Sequence, residues 1–417
     1  MEEIDVPHYF LCPISLEIMK DPVTVSTGIT YDRQSIEKWL FSGKNNTCPM
    51  TKQVLSPDCE LTPNHTLRRL IQSWCTLNAS YGIERIPTPK PPINKAQISK
   101  LIRDAKSSPQ LLVKCLRRLR SIAAENETNK RCLEVAGAVD FLASILSRNS
   151  CFVSFEESTE EGFDFRQLSE EALGILCNLQ LSNVGLKNLM NKNGDFVESL
   201  TQIMKLGTFE SRAYAVVLLK SMLEVEVADP IQFINLSPQF FIEIIQILHD
   251  QISHQASIAA LQNLVHILPW GRNRVKAVEA SAVSILIDLL LEKSDRRDCE
   301  LILMTIDFLC QCAEGRAELL KHGAGMAIVS KKILRVSQMA SDRAVRILLS
   351  ISKFSATPSV LQEMLQLGVV AKLCLVLQVK CSNNTKDKAR EILKMHARAW
   401  KNSPCVPSTL IGSYPVV

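Results

Sequence analysis

The sequence predicts a mostly α-helical protein, with a small α+β module at its N-terminus followed by an α-solenoid of repeated helices. Three observations support this. Of the 417 residues, 46% are hydrophobic, 22% charged and only 6% aromatic, and 15 are glycine; that balance suits globular helices better than an all-β barrel. Over residues 95–402 a phrase recurs: a polar start, a short helix, a small-residue break, then an apolar helix. The first 76 residues lack this phrase and alternate short β-prone runs with turns and brief helices.

Residues 1–80 form the first expected domain. Val23–Val25 and Ile29–Tyr31 are β-prone and flank Ser26-Thr27-Gly28, which predicts a hairpin. Asp32 is placed to cap a helix running to about Phe41, with Ile36 and Leu40 facing inward and Trp39 on an adjacent flank. A second helix is expected after Asn64, with Leu67, Leu70, Ile71 and Trp74 on one face. Two loops share a form, Cys12-Pro13-Ile14-Ser15 and Cys48-Pro49-Met50-Thr51. A zinc-binding RING would place a second Cys at each fourth position, because structural zinc takes four sulfur or nitrogen ligands. Here those positions are Ser15 and Thr51, and Cys12, Cys48, Cys59 and His8 have no paired spacing. The module is therefore expected to be metal-free. Hydrogen bonds and ion pairs among Ser15, Glu17, Asp32, Arg33 and Thr51 are expected to hold its loops.

Residues 81–94 are Pro-rich and predict a semi-rigid linker. In the helical region, 95–402, breaks at Gly194, Ser237, Ser281, Gly323 and Gly368 fall 43, 44, 42 and 45 residues apart, while the first interval, from Gly137, is 57. This spacing fits two- or three-helix repeats, about six of them after an N-terminal cap. Ala138–Leu146 and Val283–Leu291 read as the apolar helices, and Leu111–Glu125 and Glu300–Glu314 as longer amphipathic ones. In Leu111–Glu125 one face carries Leu112, Cys115, Leu116, Leu119, Ile122 and Ala123. Neighbouring repeats must cover such faces, since one repeat cannot bury its own. The long first interval holds an insertion, 150–166, with five acidic residues and four Phe. It reads as a solvated loop, with a partner-docking patch as the alternative. The tail, 403–417, has three prolines and no periodicity and is expected to be loose.

Several function classes recede. The net charge is +5, with −2 in residues 1–76 and +7 in the rest, and no dense Lys/Arg block points to nucleic acid. The acidic start is unlike a secretory signal. The longest charge-free run, Gln251–Gly271, contains Gln, Ser, His, Asn and Pro, so no membrane span is expected and the protein is placed in the cytoplasm. The 14 cysteines are scattered without a Cys-x-x-Cys pair and read as reduced thiols. Cys310-Gln311-Cys312 lies in a helical pattern, where residues two apart do not face one another, so a metal pair is rejected.

Residues 8–76 resemble a U-box, the zinc-free relative of the RING. The resemblance rests on Cys12-Pro-Ile-Ser-Leu-Glu17, Asp21-Pro-Val23, Gly28-Ile-Thr-Tyr-Asp-Arg33, Ile36-Glu-Lys-Trp-Leu40, Cys48-Pro-Met-Thr51 and Leu61-Thr-Pro-Asn64. The repeats resemble armadillo repeats, the small residue between first and second helices favouring these over HEAT repeats. The whole chain is similar to the plant U-box/armadillo ubiquitin ligases with a short N-terminus.

That resemblance implies an E3 ubiquitin transferase. The U-box would bind a ubiquitin-charged conjugating enzyme and the armadillo array a protein substrate. Ubiquitin would pass directly to a substrate lysine, and often to the ligase itself, without a catalytic nucleophile or cofactor on this chain. The docking surface it implies is Ile14 and Leu16 of the first loop, with Cys12 and Pro13 in the same loop, Trp39 of the central helix and Pro49 of the second loop. Lys52 falls in the slot where many relatives carry a basic residue that bonds both ubiquitin and its carrier; Lys lacks the planar fork of Arg. The resemblance also implies a role in plant stress or defence, and it leaves self-association through the U-box open. The alternative is a non-enzymatic armadillo adaptor. Import receptors of that fold carry Trp and Asn one helical turn apart. Here Gly174 and Ala259 stand four residues before Asn178 and Asn263, which counts against that kind of peptide binding.

Overall fold

A computed structural model of the chain describes residues 5–42, 45–56, 61–88, 93–107, 109–152, 165–192, 196–225, 231–234 and 236–400. The chain divides into two compact units, residues 1–142 with 178–181, and residues 143–177 with 182–417.

The first unit opens with a three-stranded antiparallel sheet of order β2-β1-β3: β1 is Pro22–Thr24, β2 Thr30–Asp32 and β3 Thr62–Pro63. The expected hairpin is β1-β2. Val23 pairs with Tyr31 in register, and both side chains are fully buried, so the alternating positions of each strand face one core. β3 pairs with β1, and its Pro63, which has no N–H to donate, sits on an outer strand where that loss is tolerated. Helix α1 (Arg33–Glu37) continues into a π-helical turn, Lys38–Ser42. Helix α2 (His65–Leu77) begins at Asn64, whose side chain accepts the Leu67 N–H at 3.0 Å. Its buried face runs through Ile71 and Cys75, one turn apart. Leu70, expected on that face, is 53% exposed, because it lies about 100° around the helix from Ile71.

The Pro-rich connection is not free along its first half. Ile83 and Ile86 pack on the core formed by Phe10, Met19, Val23, Tyr31, Ile36 and Ile71, and Gln72 donates to the Ile86 carbonyl at 3.2 Å.

Beyond it lie α3 (Lys95–Ala105), capped by Asn94 and Gln97 in a reciprocal capping box, and α4 (Pro109–Glu125). The expected apolar face of α4 is the buried one: Cys115, Leu116, Leu119, Ile122 and Ala123. Helical triplets follow: α5 (Glu127–Val135), α6 (Ala138–Phe152) and α7 (Phe165–Leu179); α8 (Asn183–Lys192), α9 (Phe196–Leu206) and α10 (Phe209–Glu224); then α11 (Ile231–Ile234), α12 (Pro238–Asp250) and α13 (His254–Ile267). Next come α14 (Gly271–Glu279), α15 (Ala282–Glu292) and α16 (Arg296–Leu309); α17 (Ala313–Lys321), α18 (Gly325–Lys332) and α19 (Gln338–Phe354); and α20 (Pro358–Gln366), α21 (Val369–Gln378) and α22 (Asn383–Met395), with α23 (Ala397–Trp400) after them. The break between first and second helices is a left-handed residue at Gly137, Ser281 and Gly368, with φ of 84°, 64° and 70°. Glycine adopts this at little cost, while Ser281 does so as an exception.

Two sequence-based expectations change here. The helix expected over Glu300–Glu314 is α16, which ends at Leu309. A Cβ on Gly315 would lie 2.1 Å from the Leu309 carbonyl oxygen, so the chain turns sharply and α17 passes close over the end of α16. Cys310 and Cys312 therefore flank a turn rather than lie within a helix. The insertion is partly helical at its edges, since α6 reaches Phe152 and α7 begins at Phe165; residues 153–164, like the tail at 403–417, lie outside the described residues.

In the second unit the long third helices α10, α13, α16, α19 and α22 pack one against the next. Polar bonds join residues about one repeat apart. Asn263 donates to the Val216 carbonyl at 3.0 Å, and Lys388 and Thr385 both reach Asp342 at 2.9 Å. Arg343 and Arg346 converge on the buried Asp307 at 2.9 and 2.8 Å; burial still holds that carboxyl above the usual carboxylate range. Among the described residues no single helix is long and apolar enough to cross a membrane.

Candidate functional site

The two loops of the N-terminal module are built on one backbone pattern. In the first, the Cys12 N–H donates to the Glu17 carbonyl and the Leu16 N–H to the Cys12 carbonyl, both at 2.8 Å. In the second, the Cys48 N–H donates to Gln53 at 2.8 Å and the Lys52 N–H to Cys48 at 2.9 Å. Each loop is closed by an isolated bridge, Leu11 with Ile18 and Thr47 with Val54. The fifth residue of each is left-handed, Leu16 and Lys52, both with φ of 59°. The repeated Cys-Pro motif seen in the sequence is thus a repeated fold.

Both cysteines are fully buried and act as hydrogen-bond acceptors. The Asp32 N–H reaches the Cys12 sulfur at 3.3 Å. The Tyr31 hydroxyl, which accepts the Met50 N–H at 3.2 Å, is left to donate to the Cys48 sulfur at 3.0 Å, and the Thr27 hydroxyl donates to it at 3.4 Å. Burial alone would raise the Cys48 thiol, but hydroxyls of Thr27, Thr51 and Tyr31 bring it down to about 6. Burial, and then the bond to Cys48, push Tyr31 above its usual range. A sulfur sealed from solvent cannot attack a thioester carried on another protein. Among the described residues no group of three His, Cys, Asp or Glu gathers as a metal set, and Cys59 lies outside them.

The polar network differs in membership from the expected one. Asp32 Oδ1 accepts the N–H groups of Lys20 and Asp21 at 2.7 and 2.9 Å, so although it stands at the N-cap of α1 its side chain holds the first loop's exit instead of the helix. Arg33 Nε pairs with Asp21 at 2.6 Å, and Arg33 Nη1 approaches Glu37 at 3.7 Å. Thr51 contributes its hydroxyl to Cys48. Ser15 and Glu17 do not belong: both are exposed, and among the described residues neither side chain is hydrogen-bonded. The left-handed turn at Leu16 leaves both outside, and the loop is closed by backbone groups. Asp21, Tyr31, Thr27 and Glu37 were missed. Glu37 had a sequence signal, its i,i+4 spacing from Arg33.

The side chains expected to dock a partner lie above this frame. Pro13, Ile14, Trp39 and Pro49 are half-buried, and Ile14 and Trp39 both pack on the module's core. Leu16 is 74% exposed and Met50 59%. The Trp39 indole N–H donates to the Thr47 carbonyl at 2.8 Å, which fixes the ring of the central helix against the second loop. Lys52 Nζ lies 6.0 Å from the ring centroid, a cation–π distance. The structure therefore joins Trp39 to the second loop and to Lys52, with apolar side chains on both loops left accessible. In the helical region Asn263 is fully buried in its bond to Val216, which removes it as a peptide-binding asparagine.

A U-box domain model matches residues 6–80, and the model described as plant U-box protein ARM repeat region matches residues 97–416. The chain belongs to the plant U-box E3 ubiquitin ligases with armadillo repeats. Two relatives from Arabidopsis thaliana, E3 ubiquitin-protein ligase PUB23 and E3 ubiquitin-protein ligase PUB22, are each 61% identical to this U-box ligase. The match covers 99% of this chain with 98% of PUB23, and 99% with 99% of PUB22. A chain from a solved structure on the interaction between cadherin and β-catenin shares its fold, with a TM-score of 0.58 at 13% identity over 80% of this U-box ligase and 58% of that chain.

Proposed function

We propose that the U-box recruits a ubiquitin-charged conjugating enzyme through Ile14, Leu16, Trp39 and Pro49, with Cys12 and Pro13 shaping the first loop. The armadillo array holds a protein substrate, and ubiquitin passes directly from the carrier's cysteine to a lysine of the substrate or of the ligase itself. Catalysis of this kind is proximity and orientation of the thioester. The observation that supports it best is the Trp39 ring, half-exposed and held against the second loop by its bond to Thr47. An aromatic anchor presented rigidly is the side chain from which interface affinity usually comes. We further propose a cytoplasmic site of action and a role in plant stress or defence, as the family resemblance implies.

The test is reconstitution with activating enzyme, conjugating enzyme, ubiquitin and ATP. Ile14→Ala should lower ubiquitin chain formation at least about tenfold, since a central interface truncation costs on the order of 2 kcal/mol, with only a small fall in the unfolding midpoint because the side chain is half-buried against the core. Trp39→Ala should do the same, with some loss of stability from the missing Thr47 bond. Full activity in both variants would refute the proposed surface.

A further inference from the structure

Glu37 lies on α1, the helix that leads into Trp39, yet its side chain is only 1% exposed. A buried carboxylate is costly unless it is paired and hydrogen-bonded. The partners of Glu37 come from far along the chain. Its Oε1 accepts the Thr128 hydroxyl at 2.5 Å, across 91 residues. The backbone N–H groups of Glu127 and Thr128 are also directed at it, and they belong to the first turn of α5. That turn offers N–H groups without intrahelical partners, at the positive end of the helix. The cap residue Asn126 is already engaged with the Asn129 N–H at 2.7 Å, so Glu37 supplies acceptors that α5 lacks on its own.

A second, independent set of bonds reaches the same helix. At the far end of the Pro-rich connection the Ile93 N–H donates to the Asn129 side chain at 3.3 Å, and Cys132 donates to the Ile93 carbonyl at 3.4 Å. On the U-box side Glu37 is backed by Arg33, itself tied to Asp21, which Arg68 of α2 approaches at 3.7 Å. An ionic chain therefore runs from α2 through α1 to the start of α5. Burial holds the Glu37 carboxyl above its ordinary range, despite the bonds from Thr128 and the charge of Arg33.

We propose that Glu37 and Thr128 form a latch that fixes the carrier-docking helix of the U-box to the first armadillo repeat, making Glu37 a positioning residue for ubiquitin transfer. The inference rests on the docking reading above, because α1 leads into Trp39. The U-box is then seated on α5 rather than tethered by a linker, and the bound carrier is held in one orientation relative to α3, α4 and α5, which share its compact unit.

The test uses the full-length protein with Thr128→Val, which alters only the armadillo side, Glu37→Gln, and Thr128→Ser as the conservative control. Amide hydrogen exchange should accelerate roughly tenfold in both 33–42 and 127–135 for Thr128→Val, and stay at the unmodified level in 65–77. Glu37→Gln should match it, the double variant should add little, and Thr128→Ser should behave as the parent protein. Discharge of the carrier's ubiquitin to free lysine, which needs only the U-box, should stay within about twofold, while the rate onto protein lysines falls several-fold. The latch is overturned if 127–135 loosens alone, or if discharge to free lysine falls in step with protein ubiquitination. If Ile14→Ala discharges the carrier as fast as the parent protein, the docking reading fails, and the paired exchange response still decides the latch.

Discussion

Lys52 combines a left-handed backbone with an ammonium 6.0 Å from the Trp39 ring, so its head group is aimed by the loop rather than free. Lys52→Arg keeps the charge and adds a planar fork able to bond two partners at once. Single-turnover discharge of a charged carrier should therefore speed up several-fold, and Lys52→Ala should slow it by a similar factor; equal rates in all three would remove Lys52 from the transfer step. At this scale the sequence was informative about the apolar residues and less so about the polar ones. Trp39 stood out because it is offset from Ile36 and Leu40. Ser15 and Glu17 are exposed in a loop closed by backbone groups, and no local signal in the sequence marks that exposure.

Each loop closes on a cysteine, and the second has a pH signature. The folded thiol of Cys48 sits at about 6 against 9.0 for the unfolded chain. Between these values the unfolded chain binds a proton that the native protein has released, so stability rises with pH. The contribution is complete above about pH 9 and is lost as the pH falls through about 6. Exchange protection of 65–77 in the parent protein, relative to Cys48→Ser, should therefore grow from pH 6 to 9. A constant ratio would show that the thiol titrates alike in both states. In the array, Gly315→Ala places a methyl against the Leu309 carbonyl and should lower stability by about 2 kcal/mol, read from the denaturant midpoint. Helices were legible wherever periodicity ran on, as in α4. The end of α16 was not, because Leu309 and Cys310 continue the apolar pattern and the stop is imposed by the close approach of the next helix.

Across the molecule the repeat length was readable from its small-residue breaks, while the bonds between repeats were not. Asp307 with Arg343 and Arg346, Asn263 with Val216, and Lys388 with Asp342 join residues roughly one repeat apart but share no residue pattern from one junction to the next. The Glu37–Thr128 pair, 91 residues apart, has no sequence signature either. These pairs matter for stability. Asp307→Ala would leave Arg343 and Arg346 without their shared carboxylate and should cost about 2 kcal/mol, seen as a lower thermal midpoint; an unchanged midpoint would mean that both arginines find other partners. The sealing of Cys12 and Cys48 also bears on the protein's history in the cell. Oxidants and electrophiles reach these sulfurs only before the module closes. Chemical damage there is a hazard of newly made chains, and a finished ligase is shielded from it at both positions.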